Sequence, residues 1–175
     1  ANLGRSSQIF QIWIRPLRSN TDAHFATRVA LYELDKLIKD GMSEKDFVAT
    51  KNFLSNFLPQ LVSSQDRQLG YALDSEFYGI GDFVSHVRNA IKDLTVEDVN
   101  AVIRKYLQTD NMHYVFITGD AADMKNRLES EMTSPMKYNA EKDQWLIDED
   151  KVIQDYKLSI PSSNIKVMEI KDVFQ

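Results

Sequence analysis

Met112–Thr118 reads MHYVFIT, and its reading decides what sort of sheet, if any, this chain builds. Aromatic and β-branched residues closed by Gly119-Asp120 predict a strand. Its counterpart is IFQIWIR at Ile9–Arg15, ended by Pro16. There Phe10, Ile12 and Ile14 would share one face, with Gln11, Trp13 and Arg15 on the other. Between the two lie about 95 residues of helical pattern. Two strands so separated do not make a stable sheet alone. The expectation is that the C-terminal tail adds strands, that another chain does, or that this is part of a larger sheet domain.

The helical stretch is well punctuated. Thr21 or Asp22 caps a first helix with Ala26, Ala30, Leu34 and Leu37 on one stripe, and Gly41 stops it. Ser43 with Asp46 forms a capping-box pattern, with Met42 and Phe47 at the staple positions. The helix that follows is predicted to bury Phe47, Leu54, Phe57, Leu58 and Leu61 and to kink or break near Leu58, because Pro59 removes a backbone donor. Thr95 with Asp98 repeats the device, ahead of a helix carrying Val99, Val102, Ile103 and Tyr106 on one face. A short helix is expected from Ala121 to Ser130. Beyond Ser134-Pro135 the pattern loosens into WLIDEDKVIQDY, a short-helix candidate, and IKVMEI, a last strand or extended segment. The division expected is a domain over 1–132 and an extension over 133–175, anchored by Trp145, Leu146 and Ile147 if it packs.

Bulk properties narrow the function. A chain of 175 residues, 43% hydrophobic and 27% charged, buries a core in the ordinary globular manner. A net charge of −5 argues against a nucleic-acid partner, since phosphate contacts need a basic face. No stretch approaches the ~20 apolar residues of a membrane span, and no signal-peptide pattern is read. Zero cysteines exclude disulfides, thiolate metal sites and a cysteine nucleophile. The opening ANLGRSS, without an initiator methionine, fits a processed or excised piece.

The densest chemistry is QDRQLGYALDSEFYGIG, Gln65–Gly81. On a helix, Leu69, Leu73 and Phe77 fall at i, i+4 and i+8, a predicted core stripe. Arg67 and Tyr71 share another face, Asp74 stands three residues beyond Tyr71, and Gly79 sits where a helix terminator belongs. A helix with a glycine stop accounts for more of these residues than a ligand site does, leaving Arg67 and Tyr71 a local polar contact. The three histidines, His24, His86 and His113, have no metal-binding spacing, and neither HExxH nor HxxEH occurs. His24, in a first helical turn, is expected to be exposed or to make a local hydrogen bond; His113 reads as structural. No GxSxG is present, Gly79-Ile80-Gly81 lacks the strand and lysine of a phosphate loop, and Asp148-Glu149-Asp150 reads as a solvated acidic run.

In order, FQIWIRPL, HFATRVALYELDKLIKDGMSEKDFVATKNFL, RQLGYALDSEFYGI, LTVEDVNAVIRKYL and MHYVFITGDA resemble the insulinase-like (M16) zinc metallopeptidases. The likeness is to the C-terminal or inactive domain of bacterial members related to mitochondrial processing peptidase. It covers roughly residues 8 to 131, and 132 to 175 resembles tails of some bacterial members. The series carries the likeness more than any single motif. It implies an α+β fold, an antiparallel sheet with helices packed on one face, of the LuxS/MPP-like metallohydrolase kind and an incomplete copy here.

Such proteins enclose unfolded peptides between paired domains, one with zinc on HxxEH and a distal glutamate, the opposing one with an arginine and a tyrosine seven residues apart. Neither set transfers. HxxEH is absent, Arg67 has Asp74 seven residues on, and the family's pair would precede residue 1. No catalytic, cofactor-binding or metal residue is therefore assigned. The resemblance implies a non-catalytic, peptide-chamber wall of a zinc endopeptidase, with zinc in the parent protein's other domain. Implied partners are other domains of that family, in the same polypeptide or a partner subunit, and peptide substrates; a homodimer is compatible, and analogy places it in a bacterial periplasm or envelope. Two alternatives stand beside this reading. One is a peptidase-inactive scaffold or peptide-binding subunit; the other is an unrelated helical binding domain, which predicts helix far above sheet and no strand partner for Ile9–Arg15.

Overall fold

Seven α-helices form among residues 9–173, the part described by the computed structural model. They are α1 (Asn20–Asp40), α2 (Glu44–Leu61), α3 (Gln65–Tyr78), α4 (Phe83–Asp93), α5 (Val96–Tyr106), α6 (Ala121–Ser130) and α7 (Gln144–Ile153). Two 3₁₀ turns, Ser162–Asn164 and Ile170–Asp172, follow. The opening ANLGRSS lies outside the described residues.

The α+β expectation is overturned: the described residues contain helices and no strand. The reason is visible in Met112–Thr118. The segment forms no regular element, with Met112, Tyr114, Phe116 and Thr118 half-buried in alternation with exposed His113, Val115 and Ile117. Period two is therefore present, but a strand also needs a ladder, and the backbone groups of 112–118 have no hydrogen-bond partner among the described residues. Ile9–Arg15 is exposed throughout, and neither it nor IKVMEI is a strand among the described residues. Among the described residues the tail contributes no strand to repair the deficit.

The described residues divide into two compact units, one of Leu37–Leu107 with residues 9–11, the other of Ile12–Lys36 with residues 108–173. In the first unit, Ser43 caps α2 by accepting the Asp46 N–H at 3.1 Å, and Thr95 caps α5 with both halves of a capping box. Gly41, at φ +75°, turns the chain between α1 and α2. The Asn100 side chain braces that turn, accepting from Met42 N–H at 2.7 Å and donating to Met42 C=O at 3.1 Å. α2 buries Phe47 and Leu58 but leaves Leu54 exposed, and it continues through Pro59 to Leu61. Pro59 lies in the last turn, where only two further residues follow it, so the donor it removes does not interrupt the body of the helix. On α5 only Ile103 of the predicted face is buried. α4 was not foreseen, although Asp82 caps it at Ser85 N–H and Val84, Val87 and Ile91 lie at helical spacing.

The second unit has a core of Leu31, Met124, Leu128 and Leu158, flanked by Tyr114, Phe116, Tyr156, Ile160 and Ile165. α1 begins one residue before Thr21, at Asn20, and buries His24, Phe25, Thr27, Arg28, Leu31 and Leu34; of the predicted stripe Leu34 is buried, and Ala26, Ala30 and Leu37 are half-buried. From the C-terminal segment, Ile153 and Leu158 are buried while Trp145 stays exposed and Leu146 and Ile147 are half-buried.

Candidate functional site

Gln65–Gly81 folds as the helix α3 with Gly79 in the left-handed conformation at φ 65°. The cap donates Gly79 N–H to Glu76 C=O and Ile80 N–H to Ser75 C=O, as a glycine-terminated helix requires. The predicted stripe is wrong: Leu69 and Leu73 are each 62% exposed and Phe77 is 57% exposed. Asp74 and Ser75 are the buried residues of this helix. Arg67 donates to Gln60 C=O at 3.5 Å, and Tyr71 stacks on Phe83 with centroids 4.2 Å apart. The two residues thus serve different contacts. Tyr71, Ser75, Gly79, Asp82 and Phe83 line an open cleft of about 650 Å³.

The histidines separate into different environments. His86 is exposed on α4 and His113 exposed in Met112–Thr118. His24 is fully buried, against the expectation of an exposed or hydrogen-bonded residue, and neither ring nitrogen has a hydrogen-bond partner among the described residues. Burial, then the neighbouring Arg28 and Arg127 cations, lower its pKa to about 4. Among the described residues no cluster of three or more metal-ligating side chains occurs. No described helix is long and apolar enough to cross a membrane.

Beside His24, one turn along α1, Arg28 is also fully buried. Its guanidinium donates to Ser134 Oγ at 2.9 Å, to Gln154 C=O and to Glu131 C=O at 3.2 Å, and pairs with the Glu131 carboxylate at 3.3 Å. Glu131 is itself held, in a left-handed conformation after α6, by Leu158 N–H at 3.3 Å and Ser159 N–H at 2.6 Å. Several donors and acceptors converge, as a buried charge demands. Tyr156 O–H donates to Asp35, and burial followed by that hydrogen bond pushes the Tyr156 pKa up to about 12. These contacts tie α1 to the C-terminal segment.

The arrangement positions Met112–Thr118. At one end Gln108 accepts Asn111 N–H at 2.7 Å, and Thr109 donates to Asp35 at 2.8 Å. At the other, Thr118 Oγ donates to Asn20 at 2.7 Å, and Asn20 donates to Asp120 C=O and to the Asp123 carboxylate, both at 2.8 Å. Tyr114 and Phe116 pack against the core between those ends. The outward side chains are left bare: Val115 is 85% and Ile117 95% exposed. The sequence reading found this segment but treated it as part of a sheet, not as a surface. Comparison with protein-family models, with curated proteins and with solved structures finds no match.

Proposed function

We propose that this chain is a non-catalytic, polypeptide-binding module, and that its more specific role is one wall of a peptide-enclosing chamber in an insulinase-like zinc metallopeptidase. The observation that supports it is Met112–Thr118, held at both ends and from beneath while Val115 and Ile117 face solvent. Apolar side chains so displayed lose favourable burial until another surface covers them. The zinc chemistry of the family belongs to a different domain on this reading, since His24 is sealed in the interior and His86 and His113 stand apart from any ligand cluster among the described residues. The insulinase-like part of the proposal rests on the motif series alone.

A second reading, a helical binding domain unrelated to that family, is favoured by the helical architecture of the described residues. Both readings predict that the purified chain binds unfolded casein and does not cleave it, with or without added zinc. Chelator-sensitive cleavage by the chain alone would overturn the non-catalytic role. Mixing with an insulinase-like catalytic domain that bears HxxEH separates the two. Complex formation with increased peptide cleavage supports the chamber wall, and no association supports the unrelated domain.

A further inference from the structure

We infer that residues 131–160 form a strap that leaves α1 as one piece in acid, with the buried His24 as its trigger. The strap goes beyond the polypeptide-binding reading and does not depend on it. It is knit together internally. Ser134 N–H donates to Gln154 C=O at 3.1 Å, Thr133 Oγ to the Asp155 carboxylate and Tyr138 O–H to the Asp150 carboxylate. Glu131 joins its two ends by accepting Leu158 N–H at 3.3 Å and Ser159 N–H at 2.6 Å. Its fastenings run to α1. Arg28 reaches Glu131, Ser134 and Gln154, Tyr156 O–H donates to Asp35, and Lys36 pairs with Glu149 at 2.9 Å. Leu158 adds apolar packing on Leu31, Met124 and Leu128. α6 is fastened separately, by Asn20 donating to Asp120 C=O and to the Asp123 carboxylate. The strap can therefore lift while α1 and α6 stay together.

His24 lies one turn before Arg28 on α1, both are fully buried, and neither ring nitrogen of His24 has a partner among the described residues. The charged groups that act on it are Arg28 on its own helix, Arg127 on α6 and Glu131 at the start of the strap. The carboxylates of this cluster are already committed. Asp123 holds Arg127 at 2.8 Å, and Glu131 holds Arg28 and the two strap amides. An imidazolium here would bring two N–H donors without acceptors and a third cation beside two others. The ring takes a proton only when the site opens to water. The strap is the part placed to open it, because Glu131 is its first residue and Ser134 and Gln154 meet the neighbouring Arg28. His86 and His113 are exposed and meet no such obstacle. Lifting the strap removes Leu158 from Leu31, Met124 and Leu128, which leaves an apolar surface uncovered in acid.

Amide hydrogen exchange of the whole chain at pH 7.5 and pH 4.5, corrected for the intrinsic pH dependence of exchange, tests the strap. The His24 pKa is 6.5 when exposed and about 4 when buried, so opening is favoured as pH falls below 6.5 and the gain levels off below about 4. The opening constant of residues 144–160 should rise roughly 70-fold between the two pH values, while amides within α1 and α6 keep their protection. His24→Phe has no proton to gain and should lose most of that rise; His24→Gln serves if the larger ring does not fit. Glu131→Gln keeps His24 but takes the strap's carboxylate from Arg28, and should raise strap opening already at pH 7.5 with α6 still protected. An equal acid rise in the His24 variants overturns the trigger. Loss of α6 protection in step with the strap, in the parent or in Glu131→Gln, overturns the separable strap. Unchanged exchange of 144–160 at pH 4.5 overturns both.

Discussion

Around α1 a guanidinium and an imidazole are fully buried, whereas along α3 two leucines and a phenylalanine face solvent. Ranked by side-chain chemistry alone, these places would be reversed. What differs is the company each helix keeps. Arg28 is met by Glu131, Ser134 and Gln154, all from the segment that follows α6, so its charge is compensated where it lies. Along α3 the buried face is that of Asp74 and Ser75, and Leu69, Leu73 and Phe77 point elsewhere. Burial follows what covers a helix, and amphipathic spacing only nominates a face.

The largest expected effect comes from breaking the polar interior. Arg28→Ala removes the partner of Glu131 and leaves Ser134 Oγ and the Gln154 carbonyl without their shared donor. Losing one member of a buried pair costs about 3–5 kcal/mol, since the remaining groups stay desolvated. Urea unfolding should show a lower midpoint with an unchanged slope. A loss below about 1 kcal/mol would mean that water reaches this cluster and that the contrast with α3 is only apparent.

His24 sharpens the same comparison through pH. Its pKa falls from 6.5 to about 4 on folding, chiefly through burial and then through Arg28. Between those values the unfolded chain binds a proton that the folded chain refuses. Stability contributed by the neutral imidazole is thus present above pH 6.5 and is lost as pH falls through about 4. The full shift corresponds to about 3 kcal/mol. His24→Phe keeps an aromatic ring of similar width and has no proton to refuse. Denaturant titrations at pH 7 and pH 4.5 should differ less for that variant than for the parent, and equal differences would remove His24 from the account.

Local signals in the sequence were readable because their physics is local. Ser43 and Thr95 nominate helix starts through side chains that reach backbone N–H groups three residues on, and both do so. Gly79 ends α3 because the left-handed conformation carries no penalty without a Cβ. The Ala121–Ser130 helix came out with its expected bounds. Non-local matters were not readable. His24 could not be assigned to the interior, since Glu131 and Arg127 reach its surroundings from about a hundred residues of separation. The alternation in MHYVFIT announced an extended segment, but whether it finds a ladder depends on other segments and not on its own residues.

The smallest expected effect belongs to α3 and is the strictest check on the contrast. Leu69→Ser, Leu73→Ser and Phe77→Ser each remove a side chain that is more than half exposed. Surface substitutions of this kind change stability by about 0.5 kcal/mol or less, and loss of helix propensity adds a few tenths for leucine to serine. A core leucine truncated to the same extent would cost about 2–5 kcal/mol, so the two readings of the stripe are well separated. Phe77 carries a further contact, an edge-on packing against Tyr78 at 5.0 Å, which places Phe77→Ser at the upper end of the three. Thermal melts of the single variants decide the matter. If Leu73→Ser costs core-like stability, this face is covered in solution, and the apolar stripe read from the spacing of Leu69, Leu73 and Phe77 marks an interface after all.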